Sequence, residues 1–158
     1  MIRVAVPDDA TLLATLGAET FSETYADQNS PEDLRDYLVR SFSPRIQARE
    51  LAEAGTRFLI AQVGAEPAGF ARIRPGPPPS VHPAVHSAVQ PAARPFEIVQ
   101  FYARRQWIGR GVGSQLMEAC LASARADGSD LVWLGVWEQN ARALAFYAKW
   151  GFREIGKK

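Results

Sequence analysis

The sequence predicts one mixed α/β domain whose sheet is antiparallel in its first half and parallel in its second. Three observations carry that expectation. Two β-rich runs flank G-A-E-P at residues 64–67, which reads as strand, tight turn and strand. Beyond residue 95 a strand pattern, a helical stripe and a second apolar run follow one another, and a strand, crossover helix and strand in one sheet place the strands parallel. The chain has 158 residues, of which 47% are hydrophobic, enough for one buried core, and no internal repeat or composition shift divides it.

Residues 2–6 alternate apolar and polar side chains and read as a short strand, closed by Pro7 and by Asp8 and Asp9, a pair suited to capping a helix. Leu12, Leu13, Leu16, Thr20 and Phe21 then recur at helical spacing. Ser30, Pro31, Glu32 and Asp33 combine a capping serine, a proline at the first helical position and acids in the first turn, so Leu34, Tyr37, Leu38 and Phe42 form a second helical stripe. Ser43 and Pro44 repeat that opening before a segment that runs to Gly55. The runs R-F-L-I-A-Q-V and A-G-F-A-R-I-R, within 57–74, make the antiparallel pair. Seven of the eleven prolines fall in 75–95, where no apolar period survives; the stretch reads as a long loop, either disordered or part of a substrate entrance. His82 and His86 lie there four apart, but Pro83 and the lack of a neighbouring cysteine or carboxylate argue against a metal site.

After the loop, P-F-E-I-V-Q-F-Y-A at 95–103 is a strand rich in β-formers, and a glycine-dense stretch begins at Trp107. Leu116, Met117, Cys120, Leu121 and Ala124 carry a helix that stops at Asp127 and Gly128. The apolar run 131–137 is bounded by turn signals and is expected as a buried strand, and 140–150 is a further helix ended by Gly151.

Charge is balanced, 18 basic against 17 acidic residues for a net +1, which argues against nucleic acid as the main partner. No run approaches the roughly 18 apolar residues of a membrane span. The first residues lack the pattern of a signal peptide and the single cysteine cannot close an internal disulfide, so a cytoplasmic setting is expected. Cys120, on the apolar stripe of its helix, reads as a core residue.

Two constellations carry chemistry. W-I-G-R-G-V-G-S at 107–114 lies between a strand and a helix, where missing side chains and unpaired first-turn N–H groups suit an anion. It is not a Walker loop, since Ser114 and Gln115 follow Gly113 with no lysine, and the next strand carries no acid for a dinucleotide ribose. On the last helix Asn140, Ala143, Leu144 and Tyr147 share one face, a polar group and a phenol two turns apart.

Taken in order, the strand, the glycine turn, the apolar run and the pattern N-x-x-A-x-x-F-Y-x-x-x-G-F at 140–152 resemble the GNAT superfamily of acyl-CoA-dependent N-acetyltransferases. E-T-F at 19–21, Q-N-S-P-E at 28–32 and W-L-G-V-W-E at 133–138 look like its PaiA-type branch, bacterial acetyltransferases associated with polyamines and other small amines. The turn departs from the family pattern, with Ile108 where a Gln or Arg belongs and Gln106 two residues early. The strand before it departs as well: polyamine-type relatives often carry a carboxylate at the position of Val99, and here Glu97 stands two residues earlier.

The resemblance implies the acyltransferase fold with a V-shaped splay between its two central parallel strands, and acetyl-CoA-dependent transfer of an acetyl group to the primary amine of a small molecule such as a polyamine. Acetylation of a protein N-terminus or lysine, and a non-catalytic acyl-CoA sensor, stand as alternatives. It further implies that backbone groups of Phe101, Tyr102 and Ala103 pair with the pantetheine arm, and that the N–H groups of Ile108, Gly109, Arg110, Gly111, Val112, Gly113 and Ser114 hold the pyrophosphate. Asn140 would contact the pantetheine and Tyr147 would act as general acid; neither metal, nucleic acid nor membrane is called for. Glu97 is the first candidate for general base, with a water chain or Glu23 or Asp27 as alternatives. Relatives usually continue past this G-F pattern with a final strand; its lack here would leave a sheet edge for a second copy, so a homodimer is expected.

Overall fold

The computed structural model describes residues 1–78, 94–137 and 139–154. His82, His86, most of the proline-rich stretch, Glu138 and residues 155–158 lie outside the described residues. In chain order the elements are β1 (Ile2–Val4), α1 (Ala10–Tyr25), α2 (Pro31–Ser41), α3 (Pro44–Ala52), β2 (Arg57–Val63), β3 (Glu66–Pro75), β4 (Pro95–Ala103), α4 (Val112–Ala126), β5 (Leu131–Leu134) and α5 (Ala141–Lys149). Short 3-10 turns at Pro7–Asp9, Ala26–Gln28 and Arg105–Trp107 join some of them. The strands lie side by side in sequence order, antiparallel from β1 to β4, with β5 parallel to β4.

Local chemistry sets the helix starts. The Ser30 and Ser43 hydroxyls accept hydrogen bonds from the backbone of Asp33 at 3.1 Å and Ile46 at 3.2 Å, each satisfying a first-turn donor ahead of a proline. Asp9 does not cap α1 as the sequence suggested. Its carboxylate takes both Arg3 Nη1 and Nη2 at 2.8 Å and the Val6 N–H at 2.7 Å, fixing the chain between β1 and α1. The Arg3 hydrogen bonds hold that carboxyl below the usual aspartate range.

Helices cover both faces of the sheet. On one face Leu59, Ala71, Ile73, Phe96 and Ile98 meet Val112, Leu116, Met117 and Cys120 of α4, and partly buried Phe146 and Tyr147 of α5 pack against them with Trp150 just past its end. On the other, Phe58, Ile60 and Phe70 meet Leu13 and Leu16 of α1 and Phe42. Cys120 is fully buried, and burial pushes its thiol up to about 12, so it is protonated at neutral pH. Arg72, only 8% exposed, bridges Glu50 and Glu53 of the α3 end at 2.7 and 2.9 Å and so ties α3 to β3.

Two irregularities shape the sheet. Ile73 and Arg72 stand opposite Ile98 and Gln100, so Val99 is an extra residue, a β-bulge. The bulge resets the alternation: Phe96 and Ile98, then Phe101 and Ala103, all face the α4 side. Beyond it β4 parts from β5, whose pairing ends at Ile98 with Leu134. This is the splay, and among the described residues it leaves 99–103 of β4 without a strand on that side. The apolar run 131–137 was expected as a buried strand, but only Leu131–Leu134 is strand and Leu131 is 38% exposed. Among the described residues β5 has one neighbour, so burial reaches it from one side only.

Gly17 lets α2 end against α1: a Cβ there would lie 2.3 Å from Phe42 Cδ1, inside van der Waals contact. Gly17→Ala is therefore expected to cost about 1–3 kcal/mol in urea unfolding. Phe42→Leu in the same chain should recover part of the loss, giving a less than additive pair. Strictly additive losses would show that Phe42 does not fill the space above Gly17.

Candidate active site

The glycine stretch becomes a turn because two of its glycines take conformations closed to other residues. Gly109 and Gly111 have φ of 81° and 87°, and a Cβ on either would meet nothing within 4 Å, so the backbone angle alone demands glycine. Gly113 has no such angle; its Cβ would sit 3.5 Å from the Phe146 ring, an ordinary contact. The Ile108 and Arg110 N–H groups bond inside the turn, to Arg105 at 3.2 Å and Trp107 at 3.3 Å. The first intrahelical bond of α4 runs from Gln115 to Gly111, so the N–H groups of Gly109, Gly111, Val112, Gly113 and Ser114 find no acceptor among the described residues. Beneath them the Trp107 indole N–H is buried without a partner, and the Arg110 guanidinium lies 5.7 Å from the centre of its ring.

The open edge of β4 supplies the second part. Arg104 N–H bonds to Ala68 at 2.8 Å, and alternation along the antiparallel pair makes Tyr102 opposite Phe70 the next bonded pair. The N–H and C=O groups of Phe101 and Ala103 therefore point away from β3, into the splay, while those of Tyr102 are spent on the sheet. An extended chain entering the splay could bond to this edge as an added strand.

Tyr147 lies across from that edge. Its ring meets Phe101 edge-on at 6.1 Å and Phe152 at 5.8 Å, and its hydroxyl has no hydrogen-bond partner among the described residues. Burial pushes the phenol well above its ordinary value, with Tyr25 and Cys120 adding to the shift. Asn140 caps α5, its Oδ1 accepting the Ala143 N–H at 3.2 Å. The Phe146 ring next to Gly113 packs the middle of α5 against the first turn of α4.

The candidate bases are each already engaged or exposed. Glu97 opposes Trp133 in the closed part of the β4–β5 pair, and its Oε1 accepts from Arg74 Nε at 3.0 Å. The bulge at Val99 removes the simple alternation by which Glu97 and Val99 would share a face. Glu23 accepts the Arg105 N–H at 3.2 Å, and Asp27 is exposed on the turn after α1. Glu19 and Glu66 pair with Arg104 at 3.2 and 3.5 Å, and Glu66 accepts from Gln106 Nε2 at 2.6 Å. Acids from α1 and β3 thus clamp the segment that leads from β4 into the glycine turn.

A cleft opens on the α1 and α2 side, beside the splay. Tyr25, Tyr102 and Trp137 wall one part of it, a cavity of about 410 Å³, with Tyr25 and Trp137 rings 5.9 Å apart across the mouth. Phe21 stacks on Tyr37 at 4.4 Å further along. The sequence singled out none of these as site residues except Tyr102, and Tyr102 for its backbone alone. They come from four distant segments with no shared spacing; the one available signal was the aromatic content of α1 and α2 on the face that buries Phe42. Among the described residues no group of three His, Cys, Asp or Glu could hold a metal ion, and no helix is long and apolar enough to cross a membrane.

An anion-ready turn between strand and helix, a strand edge left open by a splay, and a helix carrying a phenol to that edge define an acyltransferase of the GNAT type. The chain belongs to this family: the Acetyltransferase (GNAT) family matches residues 16–152. It is 32% identical over 157 residues to an uncharacterized N-acetyltransferase of Lactobacillus delbrueckii subsp. lactis, covering 99% of this chain and 86% of the relative. An uncharacterized N-acetyltransferase of Mycobacterium tuberculosis is 29% identical over 150 residues, covering 95% and 86%. Among solved structures, the PaiA N-acetyltransferase from Thermoplasma acidophilum in complex with coenzyme A superimposes with a TM-score of 0.81 at 20% identity, over 100% of this chain and 92% of that one. The protein is an acetyltransferase with a mixed α/β fold of this family.

Burial also raises the Tyr102 phenol, with Tyr25, Tyr37 and Tyr147 adding to it. Replacing Tyr102 and Tyr147 with Phe is expected to leave the tyrosinate absorbance that develops near pH ~10 unchanged. Loss of amplitude in the double variant would place one of these phenols in water.

Proposed function

We propose that the protein transfers an acetyl group from acetyl-CoA directly to the primary amine of a small molecule, a polyamine being the class favoured by the likeness to the PaiA enzyme. The observation that carries this reading is the unpaired edge of β4 beside the five open N–H donors of the glycine turn. A pantetheine arm fits the first as an added strand, through Phe101 and Ala103, and a pyrophosphate fits the second. Ile108 in place of the family's Gln or Arg removes a side chain but none of these backbone donors.

Bound acetyl-CoA supplies the acetyl group as an activated thioester. The amine nitrogen forms the new N–C bond with its lone pair as the C–S bond breaks; the amine gives up one proton and the departing thiolate takes one up. An alkyl ammonium has a pKa of ~10.4 and a thiol ~8.5, so at neutral pH the amine needs a base more than the thiol needs an acid. Tyr147 is the proton donor of this reading, since burial keeps its phenol protonated and its hydroxyl has no competing partner. Glu97 is the base, acting through water from behind Arg74, because the closed strand pair keeps it from direct contact. The N–H groups facing the splay at Phe101 and Ala103 stabilise charge that develops on the acyl oxygen. Asn140 steadies the arm through its amide nitrogen while its oxygen caps α5. Holding the two reactants together contributes most of the acceleration, as no covalent enzyme intermediate is required. The same reading expects a homodimer, supported by the outer edge of β5, which has no neighbour among the described residues.

Thiol release from acetyl-CoA across a panel of polyamines, amino acids and peptides tests the reading; transfer to peptides alone would favour a protein acetyltransferase. Gly111→Val is expected to raise the coenzyme dissociation constant at least about tenfold, ~1.4 kcal/mol, by calorimetry, because valine resists the left-handed backbone. Unchanged affinity would move the phosphate site elsewhere. Tyr147→Phe should lower kcat about 100-fold while coenzyme affinity stays within about twofold, since the ring still packs. A kcat within about threefold for every active acceptor would remove the proton-donor role.

A further inference from the structure

The bulge at Val99 turns Glu97 and Gln100 to the same face of the sheet, the one that carries Phe58 and Phe70. Across β3 and β4 the facing pairs on that side are Arg74 with Glu97, then Arg72 with Gln100, then Phe70 with Tyr102. Gln100 therefore stands between Glu97, in the closed part of the β4–β5 pair, and Tyr102, which walls the aromatic cleft beside the open part.

Arg72 and Gln100 oppose each other directly and do not bond. The Arg72 side chain is only 9% exposed, with Nη1 on Glu50 and Nη2 on Glu53, yet its Nε is buried without an acceptor among the described residues. Gln100 Oε1 is likewise buried without a donor. A buried donor and a buried acceptor left open across one strand pair are costly unless a third polar group joins them. A water suits both: it accepts a hydrogen bond from Arg72 Nε, donates one to Gln100 Oε1, and keeps one hydrogen and one lone pair for other partners. Around this point the charged groups among the described residues are Arg72 and Arg74 of β3, Glu97 of β4, and Glu50 and Glu53 of the α3 end; β5 brings only the Trp133 ring opposite Glu97. Arg74 takes Oε1 of Glu97 and leaves Oε2 to other donors.

We infer that Gln100 is a positioning residue for proton removal: with Arg72 it holds a water that links an amine in the splay to Glu97. The inference rests on the transfer reading above and on Glu97 as its base. An alkyl ammonium sheds one proton before its nitrogen attacks. That proton passes from nitrogen to the water oxygen while one of the water's own hydrogens passes to Glu97 Oε2. The water is restored, the carboxylate becomes a carboxylic acid, and the amine keeps the electron pair that forms the N–C bond. Gln100 and Arg72 neither gain nor lose a proton.

Gln100→Met keeps the length of the side chain and removes the acceptor. With spermidine, or the most active amine of the panel if spermidine is inert, it should lower kcat/KM at pH 7 at least about tenfold while the coenzyme dissociation constant stays within about twofold. The deficit should shrink to within about threefold near pH ~10, where the ammonium sheds its proton unaided. Glu97→Gln should show the same closing deficit, and the double variant should be within about twofold of the poorer single, because both interrupt one path. Crystals of the unaltered protein, which need no variant, should show a water bonded to Arg72 Nε and Gln100 Oε1. A deficit that stays constant with pH, single deficits that multiply, or no water between these atoms would overturn the inference. A closing deficit in Gln100→Met with none in Glu97→Gln would overturn Glu97 as the base and make Glu50, whose Oε1 is also buried without a donor, the outlet of the water. The water in place with no thiol release from any amine would overturn the transfer reading and reduce Gln100 to a structural role.

Discussion

The structure depends on the parting of β4 from β5 after Ile98. Up to that residue the parallel pair closes the sheet; beyond it β4 carries backbone donors and acceptors that no strand among the described residues receives. Such groups are costly unless water or a ligand takes them, which is why open edges are rare inside a fold and common at binding sites. The bulge at Val99 belongs to the same event. By adding one residue to β4 alone it keeps Phe101 and Ala103 on the α4 side while twisting the strand away from its partner. The splay is wedged by packing: Phe146 of α5 lies 5.6 Å from Phe101 and beside Gly113, so one aromatic ring touches both the open strand and the glycine turn.

The charged clamp on residues 104–106 then links the two sides of the sheet. Glu19 and Glu23, one turn apart on α1, hold Arg104 and Arg105, while Glu66 of β3 holds Arg104 and Gln106. These pairs are mostly exposed and individually weak. Their value is positional: the helix that walls the aromatic cleft and the segment that opens the glycine turn cannot shift independently.

Much of this order was legible in the sequence because it is local. Caps at Ser30 and Ser43, the hairpin around Gly64, the β4 run and the glycines at 109 and 111 each announce a conformation through neighbouring residues alone. The readings that failed or fell short depended on partners far away in sequence. Asp9 looked like a cap until Arg3, brought close by the turn at Pro7, claimed its carboxylate. Residues 135–137 looked like strand because apolar content does not tell a covered strand from an edge that is leaving its sheet. The Arg74 partner of Glu97 was equally illegible, since it follows from a cross-strand register that no motif records. The aromatic cleft is the extreme case, assembled from α1, α2, β4 and the chain after β5.

Phe42 in its slot over Gly17 has a consequence for time rather than shape. None of the residues within α2 is buried; the helix is fastened at its end by Phe42 and along its side by the ring stack of Tyr37 on Phe21. An element held by so few apolar contacts opens at a free energy well below that of the sheet, without waiting for the domain to unfold. Its amides should exchange with solvent through this local route, while those of β2 and β3 exchange only with global unfolding. One wall of the aromatic cleft therefore has a clock of its own, set by the departure of an aromatic side chain from a glycine notch.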